Sequence, residues 1–112
     1  MKIVKKASES FVREDAHGGS GGRKLYFDDG EIANVQGMTY GFLPAGAKFE
    51  LHSHEGLNEI MLVLKGQGLV RDSDGEYTYK EGDIFMFPDG VMHEIENTDS
   101  FEHEYVFIRI HQ

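Results

Sequence analysis

The chain contains no cysteine. That excludes disulfides, thiolate metal ligands and cysteine nucleophiles, and leaves nitrogen and oxygen as the donors for any bound metal. A cysteine-free chain suits a reducing cytoplasm, which is the expected location, although it would survive in an oxidising compartment as well. No apolar run approaches the roughly 20 residues of a membrane-spanning helix. The segment Met1 to Ser10 is basic and polar and lacks the apolar stretch of a secretory signal. No membrane partner is expected. Bases are scarce too: 11 Lys and Arg stand against 20 Asp and Glu, for a formal net charge of −9. Three of those bases, Lys2, Lys5 and Lys6, crowd the N-terminus. Such a chain repels phosphate backbones, so no nucleic-acid partner is expected. The acidity reads as a solvated surface that favours solubility.

Other absences concern organisation. No stretch shows a long helical period, and Ala7 to Ala16 reads equally as a short helix or as irregular chain. There is no internal repeat and no linker, so 112 residues suit one domain over positions 1–112. The run Gly18-Gly19-Ser20-Gly21-Gly22 lacks the following Lys-Ser/Thr pair and helix of a phosphate-binding loop. It reads as a flexible turn into a strand from Arg23 to Phe27. The alternative is close packing under a barrel where only glycine fits.

With 39% hydrophobic and 12% aromatic residues, the chain can bury a core. Turn signals recur at short intervals: Asp28-Asp29-Gly30, Pro44-Ala45-Gly46, Gly66-Gln67-Gly68, Asp72-Ser73-Asp74-Gly75, Glu81-Gly82, Pro88-Asp89-Gly90 and Asn97-Thr98-Asp99-Ser100. Segments rich in β-branched and aromatic residues lie between them, a rhythm that predicts an all-β sandwich or barrel. Strand alternation places Glu59, Met61 and Val63 on one face and Ile60, Leu62 and Leu64 on the other. If Glu59 faces inward, the second row still needs cover from another sheet, the N-terminal segment or a second subunit. The last strand is also apolar on both faces for most of its length. These two strands together point to a homodimer.

Among six histidines, His52 and His54 are separated only by Ser53. On a strand this spacing puts both imidazoles on one face, a little under about 7 Å apart at roughly 3.3 Å per residue. The polar turn Glu55-Gly56-Leu57-Asn58 can bring Glu59 back alongside them. His93 follows the Pro88-Asp89-Gly90 turn, in reach from another strand. A lone histidine on a strand is usually a surface or core residue, and a His-x-His pair is only suggestive. Glu59 amid apolar residues is more telling, because a buried carboxylate needs a partner. In the C-terminal strand, His103, Tyr105, Phe107, Arg109 and His111 share one face. They either look into a barrel, where His103, Tyr105 or Arg109 could touch substrate, or line the surface or a subunit contact, the reading the sequence favours. His17 reads as exposed.

Two stretches resemble the paired motifs of the cupins. The first runs from Gly46 through His52, His54 and Glu59 to Gly66, and the second from Gly82 through Pro88, Gly90 and His93 to Asn97. Every fixed position of both motifs is present at the family's spacing. At roughly 7% per position, ten coincidences have a chance on the order of 10⁻¹². The motifs cover 46–66 and 82–97. The flanks, Met1 to Ala45 and Thr98 to Gln112, would supply outer strands.

The likeness is to small single-domain cupins of the RmlC-like superfamily, of the oxalate-decarboxylase-like or mannose-6-phosphate-isomerase-like kind. It implies a double-stranded β-helix, a jelly-roll barrel, with His52, His54, Glu59 and His93 ligating a metal inside. Three imidazoles and a carboxylate suit Mn, Fe, Ni, Co or Zn rather than Ca²⁺ or Mg²⁺. Gly46, Gly66, Gly82 and Gly90 would serve turns, Pro88 would stiffen the turn before His93, and Asn97 would bond backbone. Family members include dioxygenases, decarboxylases, isomerases and non-catalytic binding modules. The resemblance therefore implies a small metalloenzyme acting on a small polar or carboxylated substrate, with a binding or sensing module as the alternative. Thiol dioxygenases fit poorly, because they typically lack the glutamate that Glu59 supplies.

Overall fold

The computed structural model describes residues 13–16 and 21–112. They form ten strands: β1 (Glu14–Ala16), β2 (Gly21–Phe27), β3 (Val35–Leu43), β4 (Lys48–His52), β5 (Leu57–Lys65), β6 (Gly68–Asp72), β7 (Gly75–Tyr79), β8 (Ile84–Phe87), β9 (His93–Asn97) and β10 (His103–His111). Among the described residues no helix is long and apolar enough to cross a membrane. The strands build a six-stranded sheet in the order β1-β2-β3-β10-β5-β8 and a four-stranded sheet in the order β4-β9-β6-β7. Every pairing within them is antiparallel. The two sheets face each other across one core, the jelly-roll barrel expected from the motifs.

Each turn signal falls between strands, and the glycines explain why several of them work. Gly46, Gly66, Gly82 and Gly90 have φ of 72°, 106°, 89° and 76°, a region that side chains disfavour. Gly66 is needed twice over. A Cβ there would stand 2.0 Å from Cδ2 of the buried His103 ring. One turn escaped the pattern, at Ala33-Asn34, where Asn34 takes φ 68° between the bridged residues Ile32 and Val35.

Alternation sorts the core. On β5, Glu59, Met61 and Val63 are buried, while Leu64 on the other face is 44% exposed. On β10, His103, Tyr105, Phe107 and Arg109 are all buried. That face looks into the barrel, which corrects the favoured reading of a surface or subunit contact. The reason is position: β10 lies between β3 and β5, inside the larger sheet. The flanks of the motifs therefore supply central as well as outer strands.

The interior is layered. Leu43, Phe49, Met61, Val63, Val70, Phe87, Ile95 and Phe107 pack as apolar core with Tyr79 and Tyr105. Each fully buried aliphatic or phenyl side chain contributes about 1.5–3 kcal/mol relative to exposure. Polar groups gather at the two ends. One end carries Glu59, His93 and Arg109, and the other His103, Asn97 and the tyrosine hydroxyls. Asn97 is fully buried, and its Nδ2 donates to the carbonyls of Leu43, Pro44 and Phe101 at 2.8–3.1 Å. This is the expected backbone role.

Two local readings need revision. The second strand begins at Gly21 rather than Arg23. A Cβ at Gly21 would meet the Phe49 ring at 2.3 Å, and one at Gly22 the Phe42 ring at 2.1 Å, so these two glycines are packed where only glycine fits. Residues Glu14 to Ala16 are strand, not helix. The rest of the stretch from Ala7, as well as His17 and residues 18–20, lies outside the described residues.

Candidate metal centre

One row across the larger sheet sets the site. Register pairs Gly37 with Arg109, Arg109 with Glu59, and Glu59 with Phe87. Glu59 therefore reaches the barrel interior with a cation on one side and an aromatic ring on the other. The smaller sheet answers with His52 at the end of β4 paired with His93 at the start of β9. His54 is not on the strand. β4 ends at His52, and His54 sits in the turn that leads to β5. The strand geometry expected for the His52–His54 pair thus does not hold, yet the rings still converge at 5.0 Å between centroids. The turn is stapled to the loop before His93: Gly90 N donates to His54 O at 3.3 Å, and Gly56 N to Asp89 Oδ1 at 2.6 Å. Asp89 N in turn donates to Asn58 Oδ1 at 3.0 Å. Those bonds hold His54 and His93 in one frame.

The four residues singled out in the sequence come together. His52, His54, Glu59 and His93 each present one ligand atom, and these atoms all lie within 4.8 Å of one another. The rings of His52 and His93 are 4.4 Å apart. Nε2 of His54 lies 3.3 Å from Glu59 Oε2, and Nε2 of His93 lies 3.2 Å from Glu59 Oε1. Nδ1 of His52 donates to the carbonyl of Glu50 at 2.5 Å, and Nδ1 of His93 to that of Val91 at 3.1 Å. A carbonyl only accepts, so each Nδ1 carries a proton, and a ring that held a metal would turn its Nε2 lone pair into the cluster. Nε2 of His93 is buried and makes no aligned hydrogen bond. Burial pushes the Glu59 carboxyl up, but the contacts with His54 and His93 more than offset this and hold it well below the usual carboxylate range. Three imidazoles and one ionised carboxylate around a buried point are a donor set that fits a divalent transition metal.

A small cavity of about 30 Å³ opens beside the cluster, with His52, Glu59, Arg109, Thr39 and Arg23 among its lining residues. Arg109 is 8% exposed. Burial lowers its pKa, against the pull of Glu59. Nε of Arg109 donates to Gln36 Oε1 at 2.7 Å, while Nη1 is 3.5 Å from both Thr39 Oγ1 and Glu59 Oε2. His103 and Tyr105, the other candidates on β10, do not reach the cluster. Tyr79 bonds to both of them at the far end of the barrel. His111 pairs with Asp29 on the surface. Sequence reading did not single out Gln36, Thr39 or Phe87. The signal available for Thr39 was the row of small inward residues Gly37, Thr39 and Gly41 on β3, which leaves room opposite for long side chains from β10, whereas Gln36 falls at the register shift between Arg109 and Ile110, which no local pattern marks.

Comparison with known proteins agrees with the fold. Residues 39–109 match the Cupin domain family. The chain belongs to that family. It is 37% identical over 68 residues to an oxalate-binding protein of Thermotoga maritima, a match over 61% of this chain and 56% of that protein. The chain thus spans little more than half the length of that relative. It is 30% identical over 97 residues to an uncharacterized protein of Methanocaldococcus jannaschii, covering 87% of this chain and 78% of that one. Among solved structures it resembles a protein described as a predicted oxalate decarboxylase from Thermotoga maritima, with a TM-score of 0.86 and 25% identity over 99% of this chain and 100% of the other.

Proposed function

We propose that the chain binds one divalent transition metal ion through His52, His54, Glu59 and His93, and is a small metalloenzyme acting on a compact carboxylated substrate at that ion. The convergence of four donor atoms within 4.8 Å, from both sheets and the intervening turn, carries this reading. Mn, Fe, Ni, Co and Zn suit the donors. When bound, the ion supplies a Lewis acid or a position for dioxygen. On a metal that takes six ligands these four side chains would leave positions for water or substrate, whereas zinc could close up as four-coordinate. The similarity to proteins described by oxalate binding and as a predicted oxalate decarboxylase supports a small carboxylate as the ligand class. Dioxygenase, decarboxylase and isomerase chemistry all remain within this class.

The description of one relative by binding favours a second reading, in which the pocket holds its ligand without turning it over. Metal analysis of the purified protein and of His52→Ala and His93→Ala tests the shared premise. About one equivalent is expected in the parent and a clear deficit in each variant. Full occupancy in both variants would refute the ligand assignment. Turnover of sugar phosphates, keto acids, dicarboxylates and diols by the metal-loaded protein then separates enzyme from binder.

We also infer a homodimer through the outer face of the larger sheet. Two apolar rows cross four strands there, Tyr40–Val106–Leu62–Ile84 and Met38–Ile108–Ile60–Met86. Ile84 is 68% and Met86 56% exposed at the end of these rows, and a contiguous exposed apolar patch marks an association surface.

A further inference from the structure

The guanidinium of Arg109 is held from behind and open in front. Its Nε is tied to Gln36 at 2.7 Å, but the two contacts of Nη1 are long, and Nη2 donates to nothing among the described residues. Nη2 lies over Gly37, where an added Cβ would come within 2.8 Å of it. Glycine at that register position gives the fork its room. A buried cation needs a counter-charge. In the protein without metal, Glu59 is the anion nearest to Arg109. A divalent ion on Glu59 would spend that single negative charge. The cavity would then hold two positive charges in excess: the ion's two and Arg109's one, less the one on Glu59. Arg23, also on the cavity wall, is already matched by Glu14 at 2.8 Å. An anion carrying two charges restores neutrality. A planar guanidinium fork is shaped to take one carboxylate through two parallel hydrogen bonds. The cavity is small, about 30 Å³. The acid it takes must therefore be compact.

The geometry points to Arg109 as the specificity-determining residue, receiving the second carboxylate of a compact dicarboxylate and becoming available to it only once metal has taken Glu59. This rests on the metal reading above and adds an order to it. Metal binding and dianion binding are coupled through one carboxylate that serves two cations, and by linkage each tightens the other. In the metal-free protein Glu59 offsets the charge of Arg109 through one long contact at 3.5 Å and repels an incoming acid.

The test is calorimetric titration of oxalate, malonate and acetate into metal-free and metal-loaded protein, for the parent, Arg109→Met and Arg109→Lys. Metal affinity is measured separately for each by competition with a chelator. The parent should bind the two dicarboxylates at least tenfold more tightly than acetate when loaded, and bind none of them measurably without metal. Arg109→Met should bind metal at least as tightly as the parent, because Glu59 no longer serves a second cation, should still bind acetate when loaded, and should lose the preference for dicarboxylates. Arg109→Lys, which keeps the charge but not the fork, should fall between them and serves if the methionine variant does not fold. A loaded Arg109 variant that retains the full dicarboxylate preference would overturn the assignment, and so would tight malonate binding to the metal-free parent. A parent that takes up no metal would instead sink the metal reading itself, and the inference with it.

Discussion

The ring of Phe87 lies flat on the imidazole of His93, with centroids 3.9 Å apart and planes 5° from parallel. Phe87 is 5% exposed and sits directly across from Glu59 in the sheet. Its face therefore fixes the plane of one candidate ligand while its backbone positions another.

Replacing Phe87 should loosen the site before it unfolds the barrel. Phe87→Leu keeps most of the volume but has no flat face to hold the imidazole. Its metal affinity should fall on the order of 10–100-fold, the usual cost of removing a group that orients a ligand. Phe87→Ala leaves a cavity and should cost about 3–5 kcal/mol of folding stability. Competition with a chromophoric chelator reads the first effect and chemical denaturation the second. Unchanged metal affinity in a folded Phe87→Leu protein would show that the stack does not position His93.

Much of this arrangement was legible before any coordinates. Alternation along 57–65 and 103–111 told which residues share a face, because side-chain direction on a strand is local. The resemblance to the cupin motifs named His52, His54, Glu59 and His93, which spacing alone left as only suggestive. What stayed hidden was relational. Nothing local says which face of β10 looks inward, since both faces are apolar for most of their length. That was decided by the strand's place between β3 and β5. The Gly37–Arg109–Glu59 row depends on the register of strands far apart in the chain, so Arg109 remained one of three equal candidates. His54 left its strand because β4 stops at His52, an end set by pairing with β9 rather than by composition.

The outer apolar rows make a second prediction. Sedimentation of the parent protein at tens of micromolar should show a dimer. Leu62→Glu places a charge in the middle of the four-strand row, and Ile84→Glu places one at its exposed end. Both should shift the equilibrium toward monomer with the β-sheet circular dichroism spectrum retained. A parent that sediments only as a monomer would remove the dimer. Variants that remain fully dimeric would move the contact to another face.

At the opposite end of the barrel from the metal centre, a chain of hydrogen bonds has a direction that can be worked out. Nε2 of His103 faces Asp99 Oδ2 at 2.7 Å, and an ionised carboxylate only accepts, so Nε2 carries the proton. Nδ1 must then accept from the Tyr79 hydroxyl at 2.7 Å, which leaves Tyr79 to accept from the Tyr105 hydroxyl at 2.5 Å. Burial raises the pKa of both tyrosines. Asp99 anchors the chain. The amide of Gln67, and next the His103 ring, hold its carboxyl below the ordinary value. A depressed carboxyl stabilises the fold fully above its unfolded pKa of about 4 and loses that contribution as pH falls through the folded value. Asp99→Asn should therefore be less stable than the parent at pH 7 and at pH 5, and the gap should close as the pH is lowered below about 4. Tyr105→Phe removes the terminal donor and should cost about 1 kcal/mol at pH 7. Urea midpoints for the three proteins at pH 7, 5 and 3 check both statements. An Asp99→Asn deficit that persists unchanged at pH 3 would mean that the lost interaction is steric rather than ionic, and the assigned direction of the chain would fall with it.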